Sequence, residues 1–201
     1  MRVSRVQAEK NRQAVIDVAS RLFRERGFDG IGLKDLMKGA GLTQGAFYKQ
    51  FESKEDLAVQ ASGRAFEGAT RRWSAATGES PDDPLGAVIS MYLSPEHREE
   101  RMDGCPIVAL GSDAARQSTE VKASFEAGIR THLELLNGMI AETDEKERDG
   151  KAMNILSTMV GALVLSRSVN DPHLSEQILH AAADSLLAAA SAEDTAGGAI
   201  Q

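Results

Sequence analysis

Apolar residues recur at intervals of three and four along most of the chain, whereas the alternation typical of β-strands is absent. The clearest helix is predicted over residues 7–26, where Val15, Ala19 and Phe23 share one face and Gly27 is a typical C-terminal stop. The fold is therefore expected to be all-α. Further helices are predicted over residues 33–38, 43–50, 54–76, 85–94, 105–111, 119–142, 152–167 and 172–192.

The stretch from residue 33 to residue 57 carries the most specific local pattern. Two short predicted helices are separated by a turn containing Gly41, which is free to adopt a positive φ. Leu36, Leu42 and Phe47 are spaced to bury between these helices. The pattern predicts a helix-turn-helix unit, although a plain helical hairpin in an unrelated all-α protein would show the same arrangement.

The second of these short helices carries small and hydrogen-bonding side chains outside that expected core. Small residues let a helix approach base edges, glutamine pairs with adenine, and lysine and tyrosine bind phosphate oxygens. Ser53 to Asp56 are expected to form a capping box that opens the following helix. The residues expected to face DNA on this pattern are Thr43, Gln44, Gly45, Ala46, Tyr48, Lys49 and Lys54.

The charge distribution divides the chain at about the same place. The 201 residues carry a formal net charge of −7. Residues 1–57, the basic head, contain 11 Lys and Arg against 8 Asp and Glu, whereas residues 58–201 carry a net charge of −10. This division is typical of a protein whose first quarter alone approaches phosphate, although charge by itself does not distinguish it from chance variation.

The stretch GLTQGAFYKQFESKEDL at residues 41–57 resembles the signature of the TetR family of bacterial transcriptional regulators. The stretch ASRLFRERGF at residues 19–28 is similar to the first helix of that family. The resemblance covers about residues 9–69, and the rest matches only in helical layout and length. It implies an all-α homodimer with one helix-turn-helix per subunit, at about residues 32–51, and repression that a small ligand relieves.

Two positions depart from the family pattern. Gly32 stands where threonine is usual and supplies no hydroxyl group for a phosphate. Met37 replaces a small residue and is expected to pack in the core of the head. Carried over by position, the resemblance makes Lys34 and Gln44 candidates for reading bases, and Thr43, Tyr48 and Lys54 candidates for binding phosphates.

The last two predicted helices have the pattern of a dimer interface. Residues 153–167 carry one apolar face with Met153 and Leu163 and another with Ile155 and Met159, so this helix is expected to be buried on two sides. A core helix in a monomer would show the same pattern, but the resemblance favours a four-helix interface between two copies. The expected partners are a double-stranded DNA operator, an unknown small-molecule inducer and a second copy of the chain.

A ligand pocket is expected between the basic head and that interface. Methionine and aromatic residues line such pockets, yet the same residues at helical spacing more often form plain core. His132 is either a buried core histidine or a ligand-binding group, and a metal site built from His97, Cys105 and His132 has no compact spacing to support it. The candidate lining residues are Phe66, Trp73, Met91, Met102, Cys105, Phe125, His132 and Met159.

Cys105 is the single cysteine, which excludes an intramolecular disulfide. Pro106 suits the first position of a helix, which places Cys105 at or next to the N-cap, where the helix dipole favours a thiolate. Arg98 and Arg101 would add positive potential and Asp103 would oppose it. Two interpretations stay open: a thiol that senses oxidants or electrophiles, and a small buried residue that fills space.

Other classes of protein are less well supported. No nucleophile–base pair, metal motif or phosphate loop indicates an enzyme, so no catalytic residue, metal or cofactor is predicted. Apolar runs are far shorter than the ~20 residues of a membrane span, and the polar N-terminus resembles no signal peptide, so the cytoplasm is the expected compartment. The alternative function is a helical interaction module or dimeric scaffold without specific DNA binding. The expected division is residues 1–57, residues 58–192 and a frayed tail over residues 193–201.

Overall fold

The structure is a computed structural model that describes the backbone of residues 4–197 and the side chains of residues 4–190. These residues form helices joined by short turns and contain no β-strand, which confirms the all-α class. No described helix is both long and apolar enough to cross a membrane. A 3-10 helix over Gln44–Lys49, the recognition segment, lies between the second and third α-helices. The α-helices are α1 (Arg5–Arg26), α2 (Leu33–Gly39), α3 (Lys54–Glu79), α4 (Pro84–Tyr92), α5 (Pro95–Glu99), α6 (Pro106–Ala114), α7 (Thr119–Asn137), α8 (Glu145–Arg167) and α9 (Pro172–Gly197).

The ends of α1 follow from local capping chemistry. The Ser4 hydroxyl accepts a hydrogen bond from the Gln7 amide at 3.1 Å, which satisfies one of the free donors of the first turn. Gly27 ends the helix with φ at 77°, and its amide donates to the Phe23 carbonyl at 2.7 Å. Gly41 is the other glycine with a positive φ among the described residues, at 71°. Both predicted glycine turns are confirmed.

The loop between α7 and α8 differs from the expected one. α7 ends at Asn137 rather than at residue 142, and the Met139 amide then bonds the Leu136 carbonyl only three residues back, which tightens the last turn. α8 begins at Glu145, within the charged stretch expected to precede it. The Asp144 carboxylate caps this helix by accepting from the Glu147 amide at 2.9 Å. A charged sequence with a good N-cap is therefore helical although it has no apolar face.

The C-terminal end of α9 also differs. The helix continues to Gly197, so the backbone of residues 193–197 is helical where fraying was expected. The remaining part of the expected tail, residues 198–201, lies outside the described residues. Pro172 opens the helix as predicted, at a position where its missing amide hydrogen costs no helical bond.

The described helices cluster into two compact units. The first unit contains residues up to Ala69 together with Arg101–Gly128, and the second contains Thr70–Glu100 and residues from Ile129 onward. α3 and α7 each contribute residues to both units. The division expected after residue 57 falls inside α3, and α6 with the first half of α7 belongs to the same unit as the basic head.

A chain of aromatic rings runs through the core of the first unit. The Phe28 ring centroid lies 5.3 Å from that of Phe23 and 6.4 Å from that of Phe125. Phe125 in turn meets Phe66 edge-on at 5.3 Å. Gly128 lies against the Phe66 ring so closely that a β-carbon there would overlap it. Phe66 and Phe125, which were candidate pocket residues, thus form part of this core.

The second unit has its own aromatic cluster. Trp73 meets His132 edge-on with ring centroids 4.5 Å apart, and it meets Tyr92 at 6.2 Å. Tyr92 packs against His97, whose Nδ1 lies 2.7 Å from the Tyr92 carbonyl oxygen. All four side chains are buried. Burial lowers the pKa of His97 to about 4, so this imidazole is neutral at pH 7.

Candidate nucleic-acid interface

The turn between α2 and the recognition segment has the geometry that the sequence predicts. The Leu42 amide donates to the Met37 carbonyl at 2.9 Å, which closes the turn around Gly41. Thr43 occupies the N-cap of the recognition segment, although its hydroxyl caps no amide among the described residues. The segment is a 3-10 helix rather than an α-helix, with the Gln50 amide bonded to the Phe47 carbonyl at 2.8 Å.

The inner side of this motif contains the expected core residues Leu36 and Phe47, which are fully buried together with Met37. Leu42, also expected to bury here, is only half-buried and packs against this core. The Phe47 ring stacks on Phe51 with centroids 5.4 Å apart and contacts the edge of Tyr48 at 5.2 Å. The prediction that Met37 packs in the core of the head is therefore confirmed. This packing fixes the orientation of the recognition segment, and so it decides which side chains face outward.

The outer side of the motif collects the residues predicted to contact DNA. Tyr48 is 69% exposed although it is a large aromatic residue. In the part of the chain that the structure describes, no hydrogen bond or ion pair joins any of the polar side chains in this group. The exposed members are Lys34, Thr43, Gln44, Gly45, Tyr48 and Lys49, and the half-buried members are Ala46 and Lys54.

Lys54 is placed by the cap of α3. The Ser53 hydroxyl accepts from the Asp56 amide at 3.0 Å, and the Asp56 carboxylate accepts from the Glu52 amide at 3.1 Å. This reciprocal arrangement is the predicted capping box, with its return bond to Glu52 rather than to Ser53. Lys54 is the first residue of α3, where the free amides and the dipole of the helix also favour an anion.

A buried arginine of the first unit was not predicted from the sequence. The Arg24 guanidinium donates to the Gly104 carbonyl at 2.8 Å and to the Ser20 carbonyl at 3.0 Å. Arg21 forms an ion pair with Asp103 at 2.9 Å. These contacts hold the segment before α6 against α1. The position of Arg24 directly after Phe23, on the edge of the apolar face of α1, was the available signal for burial.

The candidate pocket residues do not form one cluster within a single unit. Met102 and Cys105 belong to the first unit with Phe66 and Phe125, and Cys105 is buried at the N-cap of α6, as predicted. His97 and His132 belong to the second unit. No group of three or more His, Cys, Asp or Glu residues that could hold a metal ion occurs in the described range. The candidates that belong to the second unit are Trp73, Met91, His132 and Met159.

Comparison with known sequences places this geometry among regulators. The family model described as "Bacterial regulatory proteins, tetR family" matches residues 15–61. The HTH-type transcriptional repressor NemR of Escherichia coli K12 is 25% identical over 129 residues, which are 63% of this chain and 65% of NemR, so the chain spans just under two thirds of that relative. The uncharacterized HTH-type transcriptional regulator YxaF of Bacillus subtilis strain 168 is 27% identical over 175 residues, which are 80% of this chain and 87% of YxaF.

Comparison with solved structures extends the likeness beyond the helix-turn-helix. A TetR transcriptional regulator from Chloroflexus aurantiacus J-10-FL matches with a TM-score of 0.74 and 25% sequence identity. The match covers 89% of this chain and 95% of that one, so it includes helices of both compact units.

Proposed function

Because this chain belongs to the TetR family of bacterial regulatory proteins, we propose that it is a cytoplasmic, homodimeric transcriptional repressor. It binds a DNA operator with two-fold symmetry through the recognition segment, and a small ligand releases it. The function is that of a regulator rather than of an enzyme. The observation that carries this proposal is the set of polar side chains around the recognition segment that have no partner within the described residues.

The chemistry of that set matches duplex DNA. A glutamine at the start of a helix that enters the major groove can bond both the N6 and the N7 atoms of adenine, and Gln44 has this position. Thr43, Tyr48 and Lys54 carry hydroxyl or ammonium groups at the margins of the segment, where phosphates flank the groove. Within the described residues these side chains have no hydrogen-bond or ion-pair partner, so they are available to the phosphates and base edges of DNA. A scaffold without DNA affinity would not require these unpaired polar side chains around the recognition segment.

Selection of bound sequences from a random duplex pool tests the proposal. A symmetric dimer is expected to select an inverted repeat whose half-sites are spaced by about 34 Å or a multiple of it. Recovery of sequences without an inverted repeat contradicts specific binding by a symmetric dimer. Duplex binding that does not depend on salt contradicts the proposal altogether.

Two variants separate base reading from phosphate binding. Gln44→Ala should relax the preference at particular bases of the selected operator. Lys54→Ala should weaken binding to all duplexes and lower the slope of log affinity against log salt by about 0.9 for each phosphate that the variant no longer binds. Lys122→Ala, at an exposed lysine on α7, is the matched control and should leave both quantities unchanged.

We propose that the dimer forms through α8 and α9. Four large apolar side chains on these helices are exposed, Leu165 at 57% and Met153 at 54%, with Val164 and Leu174 above 36%. An uncovered apolar surface of this kind on packed helices is typical of an interface. Leu165→Arg should shift the sedimentation of the purified chain from dimer to monomer, whereas Arg71→Ala on α3 should not. A monomeric wild-type chain at micromolar concentration would contradict the interface.

We propose that the inducer binds beside Trp73 in the second unit. Trp73 is the only tryptophan of the chain and is buried against His132, so its fluorescence reports changes in this cluster. An inducer must bind the DNA-incompetent state more tightly than the competent one, because equal affinity shifts no equilibrium. α3 carries Trp73 as well as Lys54 and is the proposed lever. Compounds that release operator DNA should change the emission of Trp73, and a releasing compound that leaves it unchanged contradicts this location.

The state of Cys105 favours a reversibly bound ligand over a reactive thiol. The residue is 4% exposed, and a reactive cysteine needs access to its reagent. We therefore expect native Cys105 to resist alkylation at neutral pH, and Cys105→Ser to be released from DNA by the same ligand. Rapid alkylation of the folded protein, together with loss of release in Cys105→Ser, would instead assign the trigger to the thiol.

A further inference from the structure

Arg12 lies on α1, outside the helix-turn-helix, yet it contacts the end of the recognition segment. Its Nε donates to the Gln50 carbonyl oxygen at 3.4 Å. The guanidinium carbon lies 5.1 Å from the centroid of the Phe51 ring, a cation–π contact. Phe51 is buried and stacks on Phe47, the core residue of the segment. The guanidinium group is therefore held in a fixed place directly beside Gln50.

The other donors of Arg12 are available to a binding partner. Arginine carries five N–H donors, and the bond to Gln50 uses the one on Nε. Among the side chains of residues 4–190, neither Nη atom of Arg12 forms a hydrogen bond, and no carboxylate forms an ion pair with it. Arg21, on the same helix, differs because it pairs with Asp103 at 2.9 Å. Arg12 thus presents a fixed fork of donors, the geometry that matches a phosphate group.

The sequence of α1 explains where this fork points. Val15, Ile16 and Ala19 form the buried stripe of the helix. One turn before this stripe stands Arg12, which is half-buried, and Arg5 lies seven residues earlier on the same face and is exposed. The inward stripe of α1 therefore changes from apolar to cationic at the level of Gln50. The two residues before Gln50 in the chain are Tyr48 and Lys49, which are exposed.

We propose that Arg12 binds a phosphate of the operator backbone and ties it to the C-terminal end of the recognition segment. The inference rests on the proposed function, since it needs a DNA complex. Each subunit thereby gains one further phosphate contact, from α1. The contact also fixes the depth of the segment in the groove, because the same guanidinium bonds the phosphate and the Gln50 carbonyl.

The salt dependence of operator binding tests this role with the full chain. Arg12→Ala should lower the slope of log affinity against log salt by about 1.8 for a dimer, which is about 0.9 for each of the two phosphates that the variant no longer binds. The loss of affinity should be similar for the selected operator and for random duplex. Arg12→Lys keeps the charge and should keep most of the slope. Arg21→Ala, at an arginine that is already paired, is the matched control and should leave the slope unchanged.

Three outcomes are distinguishable. If Arg12→Ala keeps the wild-type slope and loses only its preference for the operator, Arg12 braces the segment without touching phosphate and the inference is wrong. If the wild-type chain shows no salt-dependent binding of any duplex, the proposed function fails first. If Arg12→Ala does not fold, Arg12→Gln retains hydrogen-bond donors for Gln50 without the charge. A lowered salt slope in that variant supports the phosphate contact, and an unchanged slope contradicts it.

Discussion

The recognition segment of the first unit and the contacts among α5, α8 and α9 in the second unit use polar side chains in opposite ways. Around the recognition segment of the first unit, lysine, glutamine and hydroxyl groups make no hydrogen bonds to other described residues, and most are exposed. In the second unit, Arg167 donates to the backbone carbonyls of His97 and Arg98 at 2.8 Å each. Arg98 donates to the Ser175 hydroxyl at 2.9 Å, and that hydroxyl donates to the Ser166 carbonyl at 2.7 Å.

This difference distinguishes a surface that is available for binding from side chains that hold the fold together. A polar group that is paired inside the protein contributes to folding, and its removal leaves buried partners without hydrogen bonds. A polar group that is unpaired at the surface contributes little to folding and is available to a partner. Substitutions in the second unit should therefore change stability, whereas substitutions at the recognition segment should change DNA affinity and leave stability nearly unchanged.

The largest expected effect concerns the core that joins α7 to the basic head. Phe125→Ala removes a buried ring that contacts both Phe28 and Phe66, and should lower the free energy of unfolding by about 3–5 kcal/mol. Phe125→Leu is the control and should cost about 1 kcal/mol, since most of the volume remains. Chemical denaturation measures both. A loss below about 1 kcal/mol for the alanine variant would mean that Phe125 lines an open pocket rather than a core.

The second effect depends on pH and arises in the second unit. Burial lowers the pKa of His97 from 6.5 to about 4 in the folded protein, so the unfolded chain binds the proton more readily. The resulting stability is fully present above pH 6.5 and is lost as the pH falls toward 4. It amounts to about 3 kcal/mol. His97→Gln removes this titration, so its unfolding free energy should approach that of the wild type at low pH. A constant difference between the two proteins from about pH 7 to about pH 4 contradicts the burial effect.

The sequence predicts more of the first unit than of the second. In the first unit, Gly41, Phe47 and the Ser53 cap act through neighbours a few residues away, so their spacing was sufficient to predict turn, core and cap. The contact of Arg24 with Gly104 joins residues 80 positions apart, and no local pattern encodes such a contact. The 3-10 form of the recognition segment was not predicted for a related reason. Six residues fixed by packing of Phe47 need not follow the helical geometry that their sequence alone favours.

In the second unit the sequence predicted helices and little else. The apolar period of α8 indicated burial on two sides, but it did not distinguish core from interface: Met159 and Leu163 are fully buried, whereas Met153 is exposed. The role of Arg167 arises from its bonds to α5, which lies far from α8 in the chain, and these bonds are set by tertiary packing. The ligand pocket stays a prediction for the same reason, because residue type alone does not show which side chains tertiary packing brings together.

A smaller effect tests the internal pairing of Arg167. Arg167→Ala leaves the carbonyls of His97 and Arg98, at the end of α5, without their donor and should cost about 1–3 kcal/mol of unfolding free energy. Arg167→Lys should recover only part of this, since one ammonium group does not reproduce the geometry of the guanidinium fork. Operator affinity should stay unchanged while the protein is folded. Equal stability of the alanine variant and the wild type would show that these bonds are exchanged for water at no cost.

The smallest effect lies in the cap of α3, within the first unit and close to the recognition segment in the chain. Ser53→Ala removes the acceptor of the Asp56 amide and should cost about 1 kcal/mol. Ser74→Ala, at an exposed serine within the same helix, is the control and should be neutral or slightly stabilising, because alanine favours helix. The cap also holds the turn that carries Lys54, so Ser53→Ala should weaken operator binding. The salt slope should not change, since the lysine and its charge remain. A lowered slope in Ser53→Ala would contradict this expectation. It would mean that Lys54 reaches its phosphate only when the Ser53 hydroxyl caps α3.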